Sequence, residues 1–121
     1  VPLWVAGTLH PRNLDRVVRH GDAWIPIMGE TVEGISSGVA TIRAAWSAAG
    51  RDPEELQVRA PLRLARDDRG RPDLARSMES VPELLAAGAT DVHLTLRAFA
   101  RDPSHAPLVL TEAVRRFRDA T

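Results

Sequence analysis

Short apolar stretches that suit buried strands alternate with longer segments of helical periodicity along the whole chain. The predicted strands are residues 2–6, 23–27, 56–64 and 91–96, and the predicted helices are residues 11–21, 32–49, 74–87 and 105–119. Strict alternation of this kind is typical of parallel strands joined by helical crossovers. The sequence therefore predicts an α/β protein built from four β/α units.

The second predicted helix carries the clearest pattern. It follows Thr31, a residue suited to an N-cap, and Gly34 and Gly38 inside it would allow close packing against a neighbour. Its apolar face consists of Val32, Ile35, Val39, Ile42 and Trp46. The third helix is predicted to break near Pro82, because Ser80 and Glu83 have the spacing of a capping box.

Two architectures fit four such units. The third strand alternates apolar residues with Gln57, Arg59 and Arg63, and His93 and Thr95 share one face of the fourth. Polar faces suit the interior of a (β/α)8 barrel, whereas a doubly wound sheet needs both faces apolar. A whole barrel needs about 250 residues. We therefore favour a single (β/α)4 half-barrel domain over residues 1–121, and keep the doubly wound domain as the alternative.

Composition excludes several classes of function. The chain has 16 basic and 16 acidic side chains, no lysine and no cysteine. Without a basic run, nucleic acid is a poor partner, and Schiff-base, thiolate and disulfide chemistry are ruled out. The four histidines lack metal-ligand spacing, so no metal site is predicted. No apolar run is long enough for a membrane span, and we expect a soluble cytoplasmic protein.

The first strand runs into a turn that suits anion binding. Backbone N–H groups at Ala6, Gly7 and Thr8 could approach a phosphate, and the helix that begins near Pro11 points its positive end at the same place. His10 and Arg12 are candidate side-chain contacts, and His10 could also cap the helix weakly. The alternative is a plain β-to-α turn in which Gly7 only supplies unusual backbone angles.

Several other side chains are expected to be structural. Trp4, Trp24 and Trp46 suit core packing. Arg59 and Arg63 share a strand face, and both are expected either to pair with acidic side chains or to lie at an exposed strand edge. His93 is expected to be a hydrogen-bonded interior histidine. Arg16, one helical turn beyond Arg12, is expected to face solvent.

Taken in order, five segments of the chain resemble the luciferase-like monooxygenase family of flavin-type oxidoreductases. The segments are Leu3-Trp-Val-Ala-Gly7, Asn13-Leu-Asp-Arg16, Gly21-Asp-Ala-Trp-Ile-Pro26, Ala49-Gly-Arg-Asp-Pro-Glu-Glu-Leu56 and Leu85-Ala-Ala-Gly-Ala-Thr-Asp-Val-His93. The resemblance implies the C-terminal half of a (β/α)8 TIM barrel, strands five to eight. It also implies that amides at Ala6, Gly7 and Thr8 bind the phosphate of coenzyme F420 or FMN.

The chain departs from the family pattern at two positions. Members often carry a Gly-Gly pair where this chain has Ala6-Gly7, and a serine before the helix proline where it has His10. In the family, much of the pocket for the cofactor ring and many reacting residues come from the N-terminal half. The resemblance therefore implies part of an oxidoreductase that acts on a small organic substrate, with its catalytic residues not identified in this chain.

A function of a different class is also open. A half-barrel leaves its outer strands and the inner face of its sheet uncovered, and uncovered strands favour pairing with another chain. The chain could then be a non-catalytic interaction module that forms a homodimer, or it could pair with a separate N-terminal half.

Overall fold

The computed structural model describes all 121 residues, Val1–Thr121. Its one sheet has four parallel strands in the order β1-β2-β3-β4. They are β1 (Trp4–Ala6), β2 (Ala23–Ile25), β3 (Gln57–Pro61) and β4 (Asp91–His93). The α/β class with four parallel strands is therefore confirmed, and it is consistent with part of a TIM barrel.

Six α-helices and two short 3-10 turns connect and flank the strands. The helices are α1 (Pro11–His20), α2 (Val32–Ala48), α3 (Leu74–Met78), α4 (Val81–Ala86), α5 (Leu96–Phe99) and α6 (Ala106–Ala120). The 3-10 turns are Pro53–Glu55 and Pro103–His105. None of the helices combines the length and hydropathy needed to cross a lipid bilayer.

Element boundaries confirm some predictions and correct others. The helix predicted over 74–87 breaks into α3 and α4 as expected, but the hydroxyl of Ser80 donates to the Ser77 carbonyl at 2.8 Å instead of forming the expected capping box. β3 ends at Pro61, which has no N–H for a further ladder bond. β4 ends at His93, three residues before the end of the predicted strand. The last residue of that predicted strand, Leu96, instead begins helix α5, which was not predicted.

The chain forms two compact units. The first comprises residues 1–61 and 84–92, and its core lies between α1, α2 and one face of the sheet. Val5, Trp24 and Val58 lie in register across β1, β2 and β3 and pack on this side. The indoles of Trp24 and Trp46 are almost completely buried, which confirms their predicted core roles, whereas Trp4 is only half-buried and lies outside this core, so its predicted core role is wrong.

Arg51 ties the C-terminal end of α1 to α2. Its guanidinium lies 3.6 Å from the centre of the Trp46 ring and donates to the carbonyl of Val18 at 2.9 Å. A cation at the negative end of a helix is favourable, and the contact with the indole adds a cation–π attraction. Arg51 thereby helps to fix the orientation of α1 within the first unit.

The two arginines expected to share the other face of the sheet have different surroundings. Arg59 stacks on Trp4, with its guanidinium carbon 4.2 Å from the ring centre, and no carboxylate pairs with it. Arg63 does not share its strand face, because β3 has already ended. Arg63 does pair with an acidic side chain as expected, because within the second unit it lies 4.0 Å from the carboxylate of Glu83.

The second unit comprises residues 62–83 and 93–121. The loop after β3 turns around Asp67, whose carboxylate accepts the backbone N–H groups of Arg69 and Arg71, both at 2.9 Å. The buried Ser77 then joins the loop to α3, because it accepts from the Ala65 amide at 2.9 Å and donates to the Asp73 carbonyl. The polar loop after β3 is thus held in place by hydrogen bonds.

A network on α6 predicts a specific loss of stability in acid. Hydrogen bonds from Arg115, and then from Arg116, hold the pKa of Glu112 at about 2, below its ordinary value of 4.5. Because the folded-state pKa is depressed, the stabilisation is present above about pH 4.5 and is lost as the pH falls towards 2. We expect the melting temperature of wild type to fall more steeply from pH 5 to 2 than that of Glu112→Gln. Parallel thermal melts of both proteins test this, and equal slopes would contradict it.

Candidate cofactor-phosphate site

The turn that follows β1 is held in one conformation by hydrogen bonds on both sides of Gly7. The Gly7 amide donates to the Ile25 carbonyl at 3.0 Å, and its own carbonyl accepts the indole N–H of Trp24 at 2.9 Å. Gly7 has a φ of +110°, a backbone conformation that residues with a Cβ rarely adopt. The turn is therefore built before any ligand arrives.

Asn13 fastens this turn to the first turn of α1. Its side chain is only 4% exposed, and its Nδ2 donates to the carbonyls of Ala6 at 3.2 Å and Thr8 at 2.9 Å. The sequence reasoning did not select Asn13 as a functional residue. A signal was present, since Asn13 lies four positions before the apolar Val17 and shares its buried helix face.

The N-terminal end of α1 is open to an anion. His10 occupies the N-cap position but its side chain makes no capping hydrogen bond, so the expected weak cap is wrong. Pro11 has no N–H, and the first turn contains no acidic residue. The backbone amides of Thr8 and Arg12 have no acceptor within the protein. Unpaired amides and the positive end of the helix together favour a bound anion.

The neighbouring helix α2 begins in a different way. The Thr31 hydroxyl accepts the Gly34 amide at 2.9 Å, and the Glu30 carboxylate accepts the Thr31 amide at 3.0 Å. Glu33 adds a second acid in the first turn. The positive end of α2 is therefore neutralised by the protein itself, whereas that of α1 is not.

The predicted contact residues lie together around the start of α1. Ala6, Thr8, His10 and Arg12 are exposed, and Gly7 is half-buried. Because the Gly7 amide is already bonded to Ile25, Gly7 contributes conformation rather than a free donor. Among the other predicted contact residues, the amides of Thr8, His10 and Arg12 have no backbone acceptor, and the side chains of His10 and Arg12 are further possible donors.

His93 does not match its predicted role. It ends β4 and is half-buried, and its Nδ1 is enclosed without a hydrogen-bond partner. The expectation of a hydrogen-bonded interior histidine is therefore wrong. Its carbonyl does contribute to the sheet edge, because it accepts the Leu62 amide at 2.8 Å.

Four parallel strands that alternate with helices form an α/β fold that is consistent with half of a (β/α)8 barrel. The model of the luciferase-like monooxygenase family matches residues 1–117. The chain belongs to the luciferase-like monooxygenase family, as the resemblance in sequence implied.

Two mycobacterial relatives of the chain are ketoreductases of the same name. The chain is 38% identical over 79 residues to the phthiodiolone/phenolphthiodiolone dimycocerosates ketoreductase of Mycobacterium tuberculosis H37Rv. The matched stretch covers 65% of this chain and 20% of that protein. The protein of the same name from Mycobacterium kansasii is 34% identical over 79 residues, 21% of its length. The matched stretch thus spans about a fifth of these relatives.

Proposed function

We propose that this chain supplies the phosphate-binding part of an F420- or FMN-dependent oxidoreductase. The observation that carries the proposal is the open end of α1, with its uncapped N-terminus and unpaired amides beside the rigid turn at Gly7. Family membership supports a flavin-type cofactor, and both F420 and FMN carry a phosphate group on the chain attached to the ring.

Each residue of the turn has a distinct role in this proposal. The amides of Thr8 and Arg12 donate to the phosphate oxygens, and the guanidinium of Arg12 adds a charge-assisted hydrogen bond. The imidazole of His10 adds a further N–H donor. Asn13 and Trp24 hold the carbonyls of the turn inward, so that its amides remain directed outward.

The reaction itself needs more than these residues. When bound, the cofactor supplies hydride transfer to or from a small organic substrate, and this chain anchors its phosphate end. The matched relatives are named as ketoreductases, so reduction of a ketone is the reaction type that we propose first. Because the match spans about a fifth of those relatives, we place the ring pocket and the reacting groups in an N-terminal half of the barrel.

Replacing Arg12 tests the proposed phosphate contact. We expect Arg12→Ala to weaken the binding of FMN, or of F420 if that is the cofactor, by about tenfold, because a charge-assisted hydrogen bond is lost. Arg16→Ala is the matched control, since Arg16 is another exposed arginine one turn further along α1. Fluorescence titration of both variants gives the affinities. Equal losses in the two variants, or none in either, would overturn the assignment.

A non-catalytic interaction module remains a second candidate, because β1 and β4 are both outer strands of the sheet. Leu3, immediately before β1, is half exposed. Outer strands of this kind can pair with those of a second copy. Sedimentation equilibrium distinguishes the two cases: a dimer that binds neither cofactor favours the module, and a monomer that binds one of them excludes it.

A further inference from the structure

Gly38 is the residue through which α2 meets the structure around the proposed phosphate site. It is buried, and a Cβ at this position would lie 2.7 Å from Cζ3 of the Trp24 ring and 3.1 Å from Cδ1 of Leu9. Carbon atoms that are not bonded to each other pack about 3.5–4.0 Å apart. The Trp24 ring and the Leu9 side chain therefore occupy the space that a side chain at position 38 would need.

Both of these neighbours of Gly38 support the turn after β1. Leu9 follows Thr8 in the turn itself, and its side chain packs against the hydrophobic core. Trp24 lies on β2, and its indole Nε1 donates to the Gly7 carbonyl at 2.9 Å. One position on α2 thus supports the turn at two points, through a packed side chain and through a hydrogen bond.

The hydrogen bond from Trp24 determines where the Thr8 amide points. The carbonyl of Gly7 and the N–H of Thr8 belong to one peptide group, which is planar and trans, so the two bonds point in opposite directions. The buried indole holds the carbonyl on the core side, and the Thr8 N–H is therefore directed to the other side, where it has no backbone acceptor. Rotation of this peptide group would break the indole bond and turn the donor away from a ligand.

We propose that Gly38 is a positioning residue for phosphate binding, because it lets the Trp24 indole lie where it orients the Thr8 amide. This inference rests on the proposed function, and it adds a residue on α2 that touches no ligand. A Cβ at position 38 would push the ring away by about 1 Å. The indole can then keep its hydrogen bond only if the peptide group between Gly7 and Thr8 moves with it.

Titration of the full chain with inorganic phosphate tests this role. The protein is labelled with ¹⁵N, and the amide signal of Thr8 and the indole signal of Trp24 are followed by NMR. We expect Gly38→Ala to bind phosphate about tenfold more weakly than wild type, the effect of losing one hydrogen bond to a charged ligand. The Trp24 indole signal should already have moved in the variant without phosphate, because its hydrogen bond is disturbed.

Gly34→Ala is the matched control for this substitution. Gly34 lies one turn earlier in α2, and a Cβ there would mainly meet the flexible side chain of Glu30. We expect this control to keep the wild-type phosphate affinity and the wild-type position of the Trp24 indole signal.

Trp24→Phe tests the same role without adding an atom at Gly38. A phenyl ring is smaller than an indole and has no N–H, so this variant should bind phosphate about tenfold more weakly than wild type. Adding Gly38→Ala to it should have no further effect on phosphate affinity, because the Cβ then has room and no indole bond remains to be lost. Losses that multiply to about a hundredfold in the double variant, or wild-type affinity in Trp24→Phe, would overturn the proposal.

The wild-type titration distinguishes a failure of the positioning role from a failure of the proposed function. If phosphate shifts the Thr8 signal of wild type but binds equally well to Gly38→Ala, the positioning role is wrong and the phosphate site stands. If phosphate does not bind to wild type, the phosphate site is wrong and the positioning role falls with it.

Discussion

Replacing Gly38 by alanine is expected to lower the free energy of unfolding by about 2 kcal/mol, as overpacking of a buried contact does. A Cβ at this position would lie against the Trp24 ring, 2.7 Å from its Cζ3, and 3.1 Å from the Leu9 Cδ1. The indole cannot retreat without breaking its hydrogen bond to the Gly7 carbonyl. The gain in helix propensity, up to about 1 kcal/mol, does not offset this clash.

Urea denaturation of wild type and two glycine variants measures the effect. Gly34→Ala is the matched control because it lies in the same helix, and its Cβ would mainly meet the flexible side chain of Glu30. We expect this control to range from neutral to stabilising by about 1 kcal/mol. If the two variants have the same stability, then Trp24 does not pack on Gly38 as described.

Removing the side-chain amide of Asn13 is expected to lower the free energy of unfolding by a similar amount and to weaken binding at the proposed phosphate site. Asn13→Ala leaves the carbonyls of Ala6 and Thr8 without their donor, and a buried group that loses its partner costs about 1–3 kcal/mol. The turn after β1 then loses its attachment to α1. We therefore expect lower stability and at least tenfold weaker binding of the cofactor phosphate.

Arg12→Ala serves as a comparison because it should affect phosphate binding but not stability, whereas Asn13→Ala should affect both. Arg12 is exposed, so its replacement should weaken phosphate binding and change the free energy of unfolding by less than about 0.5 kcal/mol. Urea denaturation and phosphate titration of both variants give the two quantities. Unchanged phosphate affinity in a folded Asn13→Ala protein would show that the turn needs no support from Asn13.

Some features of this fold follow from local sequence alone. The alternation of apolar strands and amphipathic helices predicted the four parallel strands, because period and length distinguish the two elements. The apolar spacing of Ile35, Ile42 and Trp46 located the buried face of α2, and Gly38 on the same helix predicted a close approach. The turn after β1 could be located because Gly7 and Pro11 have strong local preferences.

Other features depend on partners far apart in the chain, and local patterns do not encode them. The Gly7 amide donates to the Ile25 carbonyl on the neighbouring strand, and the Arg59 guanidinium stacks on Trp4, which lies two strands away. The unpaired Nδ1 of His93 is likewise a property of the folded surroundings. The position of the turn after β1 was therefore predictable from the sequence, but which of its amides are free and which are already hydrogen-bonded was not.

Comparing FMN with riboflavin tests most directly whether the start of α1 binds a phosphate, because the two molecules differ only in that group. Isothermal titration of the full chain with each gives the contribution of that group alone. We expect FMN to bind at least tenfold more tightly than riboflavin, and Arg12→Ala to remove most of the difference. Equal binding of FMN and riboflavin would contradict a phosphate site at the start of α1.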